Sequence, residues 1–214
     1  AGENIPDIDI AITTRELARM IEKSGFIFSQ LPDEDFDSPL GISTGAGAIF
    51  GATGGVMEAA LRTAVESLTG NKLEGEALEF TEVRGTEGIK EASYKVGTLD
   101  LKVAVVSGLA NARKLLDDIK AGKVSYHFIE IMGCPGGCVN GGGQPIQPSE
   151  VRNNVDLKAL RAKALYDEDR SLPLRKSHDS PVVKDIYENF LMKPGSPMAH
   201  EILHTSYENR GLYK

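Results

Sequence analysis

The sequence predicts an α/β fold in which a parallel sheet is flanked by helices and followed by an all-helical tail. Strand, helix and strand patterns alternate between Leu99 and Gly133, an amphipathic helix follows a glycine-rich segment, and strand patterns disappear after Pro145. The 214 residues are enough for one sizeable domain with an appendage. We therefore expect an α/β lobe over residues 1–145 and a helical tail over residues 146–214 that packs on it.

The first elements should be a short strand and a helix. The segment "DIDIAI", from Asp7 to Ile12, alternates and is β-branched, as in a strand. Thr13 and Glu16 then have the spacing of a capping box, and Gly25 is a typical glycine just after a helix. The helix between them places three apolar residues on one face: Leu17, Met20 and Ile21. The acidic stretch 29–41, with two prolines, indicates a loop.

A glycine-rich segment precedes the next helix. From Ser43 to Gly55 nearly every other residue is Gly or Ala, and Val56–Leu68 has a strong helix pattern that Gly70 ends. Such an approach lets a ligand lie close to backbone N–H groups, where the helix dipole favours negative charge. The G-K-[ST] ending of a P-loop is missing. The segment "LEFTEVRG", Leu78–Gly85, is predicted to be a strand.

The centre of the chain predicts a βαβ unit. Leu99–Leu109 and Ser125–Gly133 have strand patterns, and the helical segment "ANARKLLDDIKAG" between them ends at Gly122. This order favours a parallel pair with a right-handed crossover. The sequence "MGCPGGCVNGGGQP" follows the second strand, at the edge where open α/β sheets usually hold ligands. In the tail, three short helices are predicted to begin after capping residues Asp156, Ser180 and Ser196.

Composition excludes several classes of function. The net charge is −7, and no Lys/Arg cluster of the size that a nucleic-acid site needs is present. No apolar run approaches the ~20 residues of a membrane span, and the first ten residues do not resemble a signal peptide. Two cysteines in a chain of this length do not make a disulfide scaffold, so a reducing, cytoplasmic compartment is expected.

Both cysteines, Cys134 and Cys138, lie in the glycine-rich motif, with Pro-Gly-Gly between them. Three interpretations compete: reduced thiols in a turn, a redox disulfide, and metal–sulfur ligation. The usual redox spacing is C-x-x-C, and a structural cysteine does not need the neighbouring glycines. Metal–sulfur ligation is favoured because a glycine-dense loop lets backbone N–H groups approach a bulky cluster. Zinc needs two further ligands, and a [4Fe–4S] cluster needs two further thiolates, shared with another polypeptide or a longer chain.

The tail contains "HEILH", from His200 to His204, which matches the zinc-peptidase pattern H-E-x-x-H. On a helix it would place two imidazoles on one face, with Glu201 as general base. Only ten residues follow His204, and an ordinary amphipathic helix produces this five-residue pattern by chance. We treat a zinc peptidase as a minor alternative.

Three segments together resemble the [FeFe]-hydrogenases. The cysteine motif resembles the last of their three signature motifs, and "TGAGAIFGATGGVMEAALRTAVE" resembles their glycine-rich segment. The segment "LRKSHDSPVVKDIYENFLMKPGSPMAHEILHTSY" resembles their small-subunit segment, which is a separate chain in some members. The resemblance covers essentially the whole chain, in family order. It implies reversible reduction of protons to H₂.

The resemblance also implies a cofactor and its site. The cofactor is a [4Fe–4S] cubane bridged to a diiron centre, the H-cluster, with two of the four cubane thiolates from this chain. Cys134 would be a cubane ligand and Cys138 the ligand that also bridges to the diiron unit. The resemblance places five further residues around the cofactor, with Met132 near the diiron unit and four residues in the pocket wall: Phe50, Gly51, Gly54 and Gly55.

The family's other two cysteine motifs are missing from this sequence. We therefore expect the C-terminal half of a catalytic subunit, with residues 1–145 as its second lobe, that needs the N-terminal half for activity. Electron partners would be ferredoxin or NADH-linked subunits. A non-catalytic iron–sulfur protein, acting as a sensor or an assembly factor, is the alternative.

Overall fold

The computed structural model describes residues 8–37 and 41–206 and contains a three-stranded sheet in the order β1-β2-β3. The strands are β1 (Ile89–Val96), β2 (Leu99–Ser107) and β3 (Phe128–Met132). β1 and β2 form an antiparallel hairpin, whereas β2 and β3 are parallel. The α/β fold class and the predicted parallel pair are confirmed, and the hairpin makes the small sheet mixed.

Eight α-helices lie in the described residues. They are α1 (Thr14–Lys23), α2 (Gly45–Ala48), α3 (Gly55–Thr69), α4 (Leu109–Lys120), α5 (Ser149–Asn154), α6 (Leu157–Ser171), α7 (Pro181–Ile186) and α8 (Pro197–Leu203). A π-helical turn, Tyr187–Leu191, extends α7. The predicted caps are confirmed: Thr13 and Glu16 form the capping box of α1, and Asp156, Ser180 and Ser196 each accept a backbone N–H at a helix start.

The core is built around β2, which has helices on both faces. Val103 and Val105 face α3, where they pack with Met57 and Leu61. The alternate side chains of β2, Ala104 and Val106, pack with Ala112 and Leu115 of α4. A strand that is buried on both faces has a nearly continuous apolar sequence, as "VAVV" has here.

A closed ring of ion pairs joins the lobe to the tail. Arg62 on α3 is completely buried and donates five hydrogen bonds, two of them to Asp169 on α6. The ring runs in the order Glu58, Arg62, Asp169, Arg175, Glu79, Arg84 and back to Glu58. Each charged group contacts two groups of opposite sign, and all six N–O distances lie between 2.5 and 2.9 Å. A buried arginine is tolerated because every donor has an acceptor. The tail therefore packs on the lobe through specific polar contacts.

A second polar cluster lies on the next turns of α3. Glu66 accepts hydrogen bonds from Lys176 at 2.6 Å and from the Leu73 N–H at 2.5 Å, and it shares one with His178 Nε2 at 2.6 Å. Burial acts to raise the pKa of Glu66, but these hydrogen bonds outweigh it and lower the pKa to about 2. This cluster also connects α3 to the segment after α6.

Two predicted strands are wrong. Residues 8–12 form no strand and are exposed, and Asp7 lies outside the described residues. Leu78–Gly85 begins at the last residue of one 3₁₀ turn, Gly75–Leu78, and contains a second, Thr81–Val83. Phe80, between the turns, and Val83 are buried in the core beside α3. Among the described residues, neither segment pairs with a strand of the sheet, and a strand forms only when it has such a partner. The sequence analysis also missed β1, whose polar pattern reflects one exposed face.

Candidate functional site

The cysteine motif forms a tight loop at the carboxyl end of β3, beside the end of β2. Its backbone turns at Gly136 and Gly137, which have φ of 85° and 94°, and a single 3₁₀ turn follows at Cys138–Asn140. The Gly137 N–H donates to the Cys134 carbonyl at 2.9 Å. The predicted loop between the cysteines is confirmed, because left-handed backbone at two successive glycines is incompatible with a helix.

The loop lies directly against the glycine-rich segment before α3. The Thr53 N–H donates to the Gly136 carbonyl at 3.2 Å. A Cβ at Gly137 would lie 2.6 Å from the Gly51 carbonyl oxygen, so backbone meets backbone here. Sequence positions more than 80 residues apart thus form one surface, as a pocket shared by both segments requires.

Both thiols are exposed and neither forms a disulfide. An exposed pair of thiols, with only Pro135 and two glycines between them, fits two of the four cysteine ligands of a cubane cluster, because the cluster needs unobstructed approach to sulfur. Within residues 8–37 and 41–206, no group of three or more His, Cys, Asp or Glu side chains could hold a metal ion. The described part of the chain therefore offers two thiol donors at this loop.

Four predicted wall residues lie in the glycine-rich segment, with different exposures. Phe50 is 46% exposed and Gly51 is partly buried, so both can contact a ligand on this surface. Gly54 and Gly55 are buried. A Cβ would lie 2.2 Å from the Val83 carbonyl oxygen at the first and 1.7 Å from the Ile49 carbonyl oxygen at the second. The need for glycine at these two positions is explained by packing of the turn.

The start of α3 binds a carboxylate of the chain itself. Glu130 on β3 is 7% exposed and accepts the Gly54 and Met57 N–H groups, both at 2.7 Å. Burial raises the pKa of Glu130, and these two hydrogen bonds oppose that shift only in part. Two N–H groups at this helix start are therefore bound to Glu130 and are not free for a ligand.

Glu130 is a functional candidate that the sequence analysis missed. It lies four residues before Cys134 and joins the strand that carries the cysteine loop to the turn that forms the opposite wall. The only sequence signal is an acidic residue at a buried strand position, where charged side chains are rare unless paired. Met132 lies between Glu130 and the loop and is half-buried.

Side chains of α1, α6 and β2 form hydrogen bonds with the rest of the loop. Arg161 on α6 donates to the Val139 carbonyl at 3.1 Å and to the Pro145 carbonyl at 2.8 Å. Arg15 on α1 donates to the Gly142 carbonyl at 2.8 Å. At the other side, Ser107 Oγ accepts the Gly136 N–H at 3.0 Å. The loop is thus fixed by α1, α6 and the end of β2.

The histidines of "HEILH" are not arranged as a zinc site. His200 lies in α8, whereas His204 follows its last helical residue, and the two Nδ1 atoms are 3.1 Å apart. No third ligand accompanies them within the described residues. The same part of the chain has no helix that is long and apolar enough to cross a membrane.

Two family models match successive parts of the chain. The model described as "Iron only hydrogenase large subunit, C-terminal domain" matches residues 1–142, and that described as "Iron hydrogenase small subunit" matches residues 155–210. The chain belongs to the iron-only hydrogenase family.

Individual relatives extend the comparison. The chain is 52% identical to the NADP-reducing hydrogenase subunit HndD of Solidesulfovibrio fructosivorans, over 96% of this chain and 34% of that protein. A structure of a variant of [FeFe]-hydrogenase HydA1 from Chlamydomonas reinhardtii has a TM-score of 0.69 and 39% identity, over 94% of this chain and 55% of that one. Protein NAR1 of Arabidopsis thaliana is 32% identical, over 95% of this chain and 43% of its own length. The chain thus spans about a third to a half of these proteins.

Proposed function

We propose that this chain forms the second lobe of an [FeFe]-hydrogenase catalytic domain and supplies two of the four thiolates of its cubane. Cys134 serves as a cubane ligand, and Cys138 serves as the ligand that also bridges to the diiron centre. The observation that carries the proposal is the pair of exposed thiols on a loop packed against the glycine turn, in a chain of this family. When bound, the H-cluster supplies the redox chemistry that interconverts protons, electrons and H₂.

The chain's own contribution is to place and shield the thiolates. Gly136 and Gly137 have no side chains that could cover the sulfurs. Arg161 holds the following turn through its hydrogen bond to the Val139 carbonyl. Phe50 and Gly51 provide the facing wall, while Gly54 and Gly55 let that wall approach so closely. Met132 supplies a polarisable, apolar side chain near the diiron unit, which helps to exclude water.

The proposed partners follow from the half-complete donor set. The remaining part of a catalytic subunit contributes the other two cubane thiolates, and activity requires both parts. Ferredoxin or NADH-linked subunits deliver the electrons; the name of HndD, a subunit of an NADP-reducing hydrogenase, supports a nucleotide-linked complex. We further propose that residues 146–214 act as the small-subunit-like tail and that the enzyme works in the cytoplasm.

The test is a pair of substitutions in the complete, matured catalytic subunit. Cys138→Ser abolishes hydrogen turnover and attachment of the diiron centre, because it removes the bridging sulfur. Cys134→Ser mainly damages the cubane, because it removes only a cluster ligand. Infrared bands of the diiron ligands, iron content and hydrogen evolution separate the two results.

His204→Ala is the matched control, because it changes a potential metal ligand outside the cysteine loop. Hydrogen turnover and iron content are expected to stay unchanged in this variant. Full retention of the diiron centre in Cys138→Ser would defeat the assignment of the bridging role. Zinc that is stoichiometric with the chain and lost in His204→Ala would instead favour the peptidase.

A non-catalytic iron–sulfur protein is the second candidate. Its support is the relationship to NAR1 and to proteins named cytosolic iron-sulfur assembly component 3, which match over 94% or more of this chain. The deciding measurement is hydrogen turnover by the complete protein after diiron loading. A fully loaded protein without turnover would reject the enzyme and support the sensor or assembly role.

A further inference from the structure

Four N–H groups of the cysteine loop donate hydrogen bonds to oxygen atoms. Three of these bonds stay within the loop, at 2.9–3.0 Å: Gly137 to the Cys134 carbonyl, Asn140 to that of Gly137, and Gly141 to that of Cys138. The fourth leaves the loop, because the Gly136 N–H donates to Ser107 Oγ at the end of β2, at 3.0 Å. Ser107 is thus the side chain that determines where this N–H points.

The Ser107 hydroxyl is itself fixed in direction. Ser107 is 4% exposed, and its hydroxyl donates to the Thr86 carbonyl at 2.9 Å. A serine hydroxyl has one proton and two lone pairs, so the oxygen can only accept from Gly136 once its proton is on Thr86. The main chain of Ser107 is held as well, since its N–H donates to the Gly88 carbonyl at 2.9 Å and its carbonyl accepts the Asn111 amide at 2.7 Å. Ser107 is therefore a rigid acceptor.

The peptide group between Pro135 and Gly136 is held at both of its polar atoms. Asn140 Nδ2 donates to the Pro135 carbonyl at 3.0 Å, and Ser107 accepts the Gly136 N–H. The first bond is exposed to solvent and the second is buried. Because a hydrogen bond is stronger in the low dielectric of the interior, the Ser107 bond should contribute more to the orientation of this peptide.

The position of this N–H matters for a metal cluster. Gly136 lies two residues after Cys134 and two before Cys138, the proposed ligands. Hydrogen bonds to the sulfurs are one of the properties that set the reduction potential of an iron–sulfur cluster. Each such donor places partial positive charge beside the added electron, so it favours the reduced cluster and raises the potential. An N–H that donates to Ser107 is withdrawn from that role.

We propose that Ser107 is a positioning residue that holds the Gly136 N–H on oxygen, withholds it from the cluster sulfurs, and thereby lowers the reduction potential of the cubane. This inference rests on the proposed cubane ligation by Cys134 and Cys138. Ser107 acts through the Gly136 peptide and is not assigned as a ligand. A low potential suits the proposed reaction, since electrons reach protons more readily from a strongly reducing cluster.

The first test uses the chain without a cluster and measures exchange of the Gly136 amide hydrogen. Ser107→Ala removes the acceptor, so this amide should exchange about tenfold faster, as expected for the loss of one hydrogen bond. Urea unfolding of the same sample checks that the variant is folded. Unchanged exchange at Gly136 would overturn the proposal, because Ser107 would then not hold the N–H.

The second test measures the midpoint potential of the cubane in the complete catalytic subunit, before the diiron centre is added. With the Gly136 N–H released to the sulfurs, the cubane of Ser107→Ala should be about tenfold easier to reduce, a rise of about 59 mV for one electron. A redox titration followed by electron paramagnetic resonance gives the potential, which a loss of stability alone would not move. An unchanged or lower potential in a variant that binds the cubane would overturn the proposal.

Ser196→Ala is the matched control, because Ser196 makes the same pair of hydrogen bonds in the tail. Ser196 is 2% exposed, donates to the Leu191 carbonyl at 2.5 Å and accepts the Ala199 N–H at 3.0 Å. This variant should accelerate exchange at Ala199 and leave both exchange at Gly136 and the cubane potential as in the unmodified protein. An equal rise of the potential in both serine variants would overturn the role of Ser107, because the shift would then follow the removal of any buried hydroxyl.

Failure of this inference is distinct from failure of the proposed function. Full retention of the cubane in Cys134→Ser would reject the proposed ligation and, with it, this inference. A cubane that is damaged in Cys134→Ser but keeps its potential in Ser107→Ala would reject the positioning role and leave the ligation intact.

Discussion

Helices α1 and α3 have the same kind of sequence but opposite surroundings. Both carry an apolar stripe, and both begin at a satisfied N-terminus. Leu17 and Met20 on α1 are 47% and 56% exposed, whereas Met57 and Leu61 on α3 are 0% and 2% exposed. The stripe alone therefore establishes a helix, and the partner that covers it has to come from elsewhere in the molecule or the assembly.

The two helix starts differ in the origin of their caps. The capping side chains of α1 are local, since Thr13 and Glu16 lie three residues apart, although the Arg15 N–H donates to the Gly143 carbonyl at 3.3 Å. The start of α3 is satisfied by Glu130, which is more than 70 residues away. A local cap can form before the rest of the chain has folded, whereas a distant cap forms only when the two segments are packed together. The comparison teaches that α3 is the element through which the site, the sheet and the tail are coupled.

The largest expected effect is at the buried arginine of α3. Arg62→Leu should lower the free energy of unfolding by about 3–5 kcal/mol, because buried carboxylates and carbonyls lose their donor. Urea denaturation measures it. Arg19→Leu, at an exposed position of α1, should change it by less than about 0.5 kcal/mol. Similar losses at both sites would remove the distinction between the helices.

A matched pair of leucines tests the apolar stripes. Leu61→Ala should destabilise the chain by about 3 kcal/mol through lost burial and a new cavity. Leu17→Ala, on the exposed stripe of α1, should cost less than about 0.5 kcal/mol in the same chain. Thermal and urea unfolding of both variants check the difference. A large loss for Leu17→Ala would show that α1 has a partner within this chain.

Glu66 on α3 should make the stability of the chain depend on pH. Because the pKa of Glu66 is about 2 in the fold against an ordinary 4.5, its stabilising effect is present above pH 4.5 and is lost as the pH falls towards 2. Partial exposure reduces this effect to about 2 kcal/mol. Between pH 4.5 and 2, the free energy of unfolding, measured with urea, should fall less steeply in Glu66→Gln than in the unmodified chain. Glu22→Gln, which removes an exposed carboxylate of α1, is the control for the loss of one charge. The same slope in Glu66→Gln as in the unmodified chain contradicts the assignment.

The smallest effect compares the two caps. Glu130→Gln should cost about 1–2 kcal/mol, because the amide can accept only one of the two N–H groups well. Hydrogen exchange should accelerate at the Gly54 and Met57 amides. Thr13→Ala should cost about 1 kcal/mol and affect only amides at the start of α1. Unchanged exchange at Gly54 in Glu130→Gln would show that this carboxylate does not hold the turn.

Local signals were predictable from the sequence, and non-local ones were not. The caps of α1, α6, α7 and α8 depend on residues within three positions of one another, so their spacing identified them. The βαβ unit was predictable because a strand covered on both faces has a distinctive run of apolar residues. The position of the cysteine loop followed from this unit, since β3 delivers it to the edge of the sheet.

The failures share one physical cause. Residues 8–12 alternate and Leu78–Gly85 has strand-forming residues, but strand formation depends on a neighbour that the sequence does not reveal. The ion-pair ring and the contact of Glu130 with Gly54 join residues far apart in the chain, and no periodicity encodes them. The roles of individual residues within the site depend on such long-range contacts, so these roles could not be predicted from the sequence pattern.

The contact between Gly137 and Gly51 is formed by main-chain atoms on both sides. Neither glycine has a side chain to shorten, and a side chain at Gly137 would collide with the Gly51 carbonyl, so the distance between the two segments is set by the backbone. Substitutions at neighbouring residues can change the polarity and the accessibility of the site without changing the distance between the two backbone segments. The spacing of the site is thereby insulated from most mutational change, and its chemistry is left free to vary.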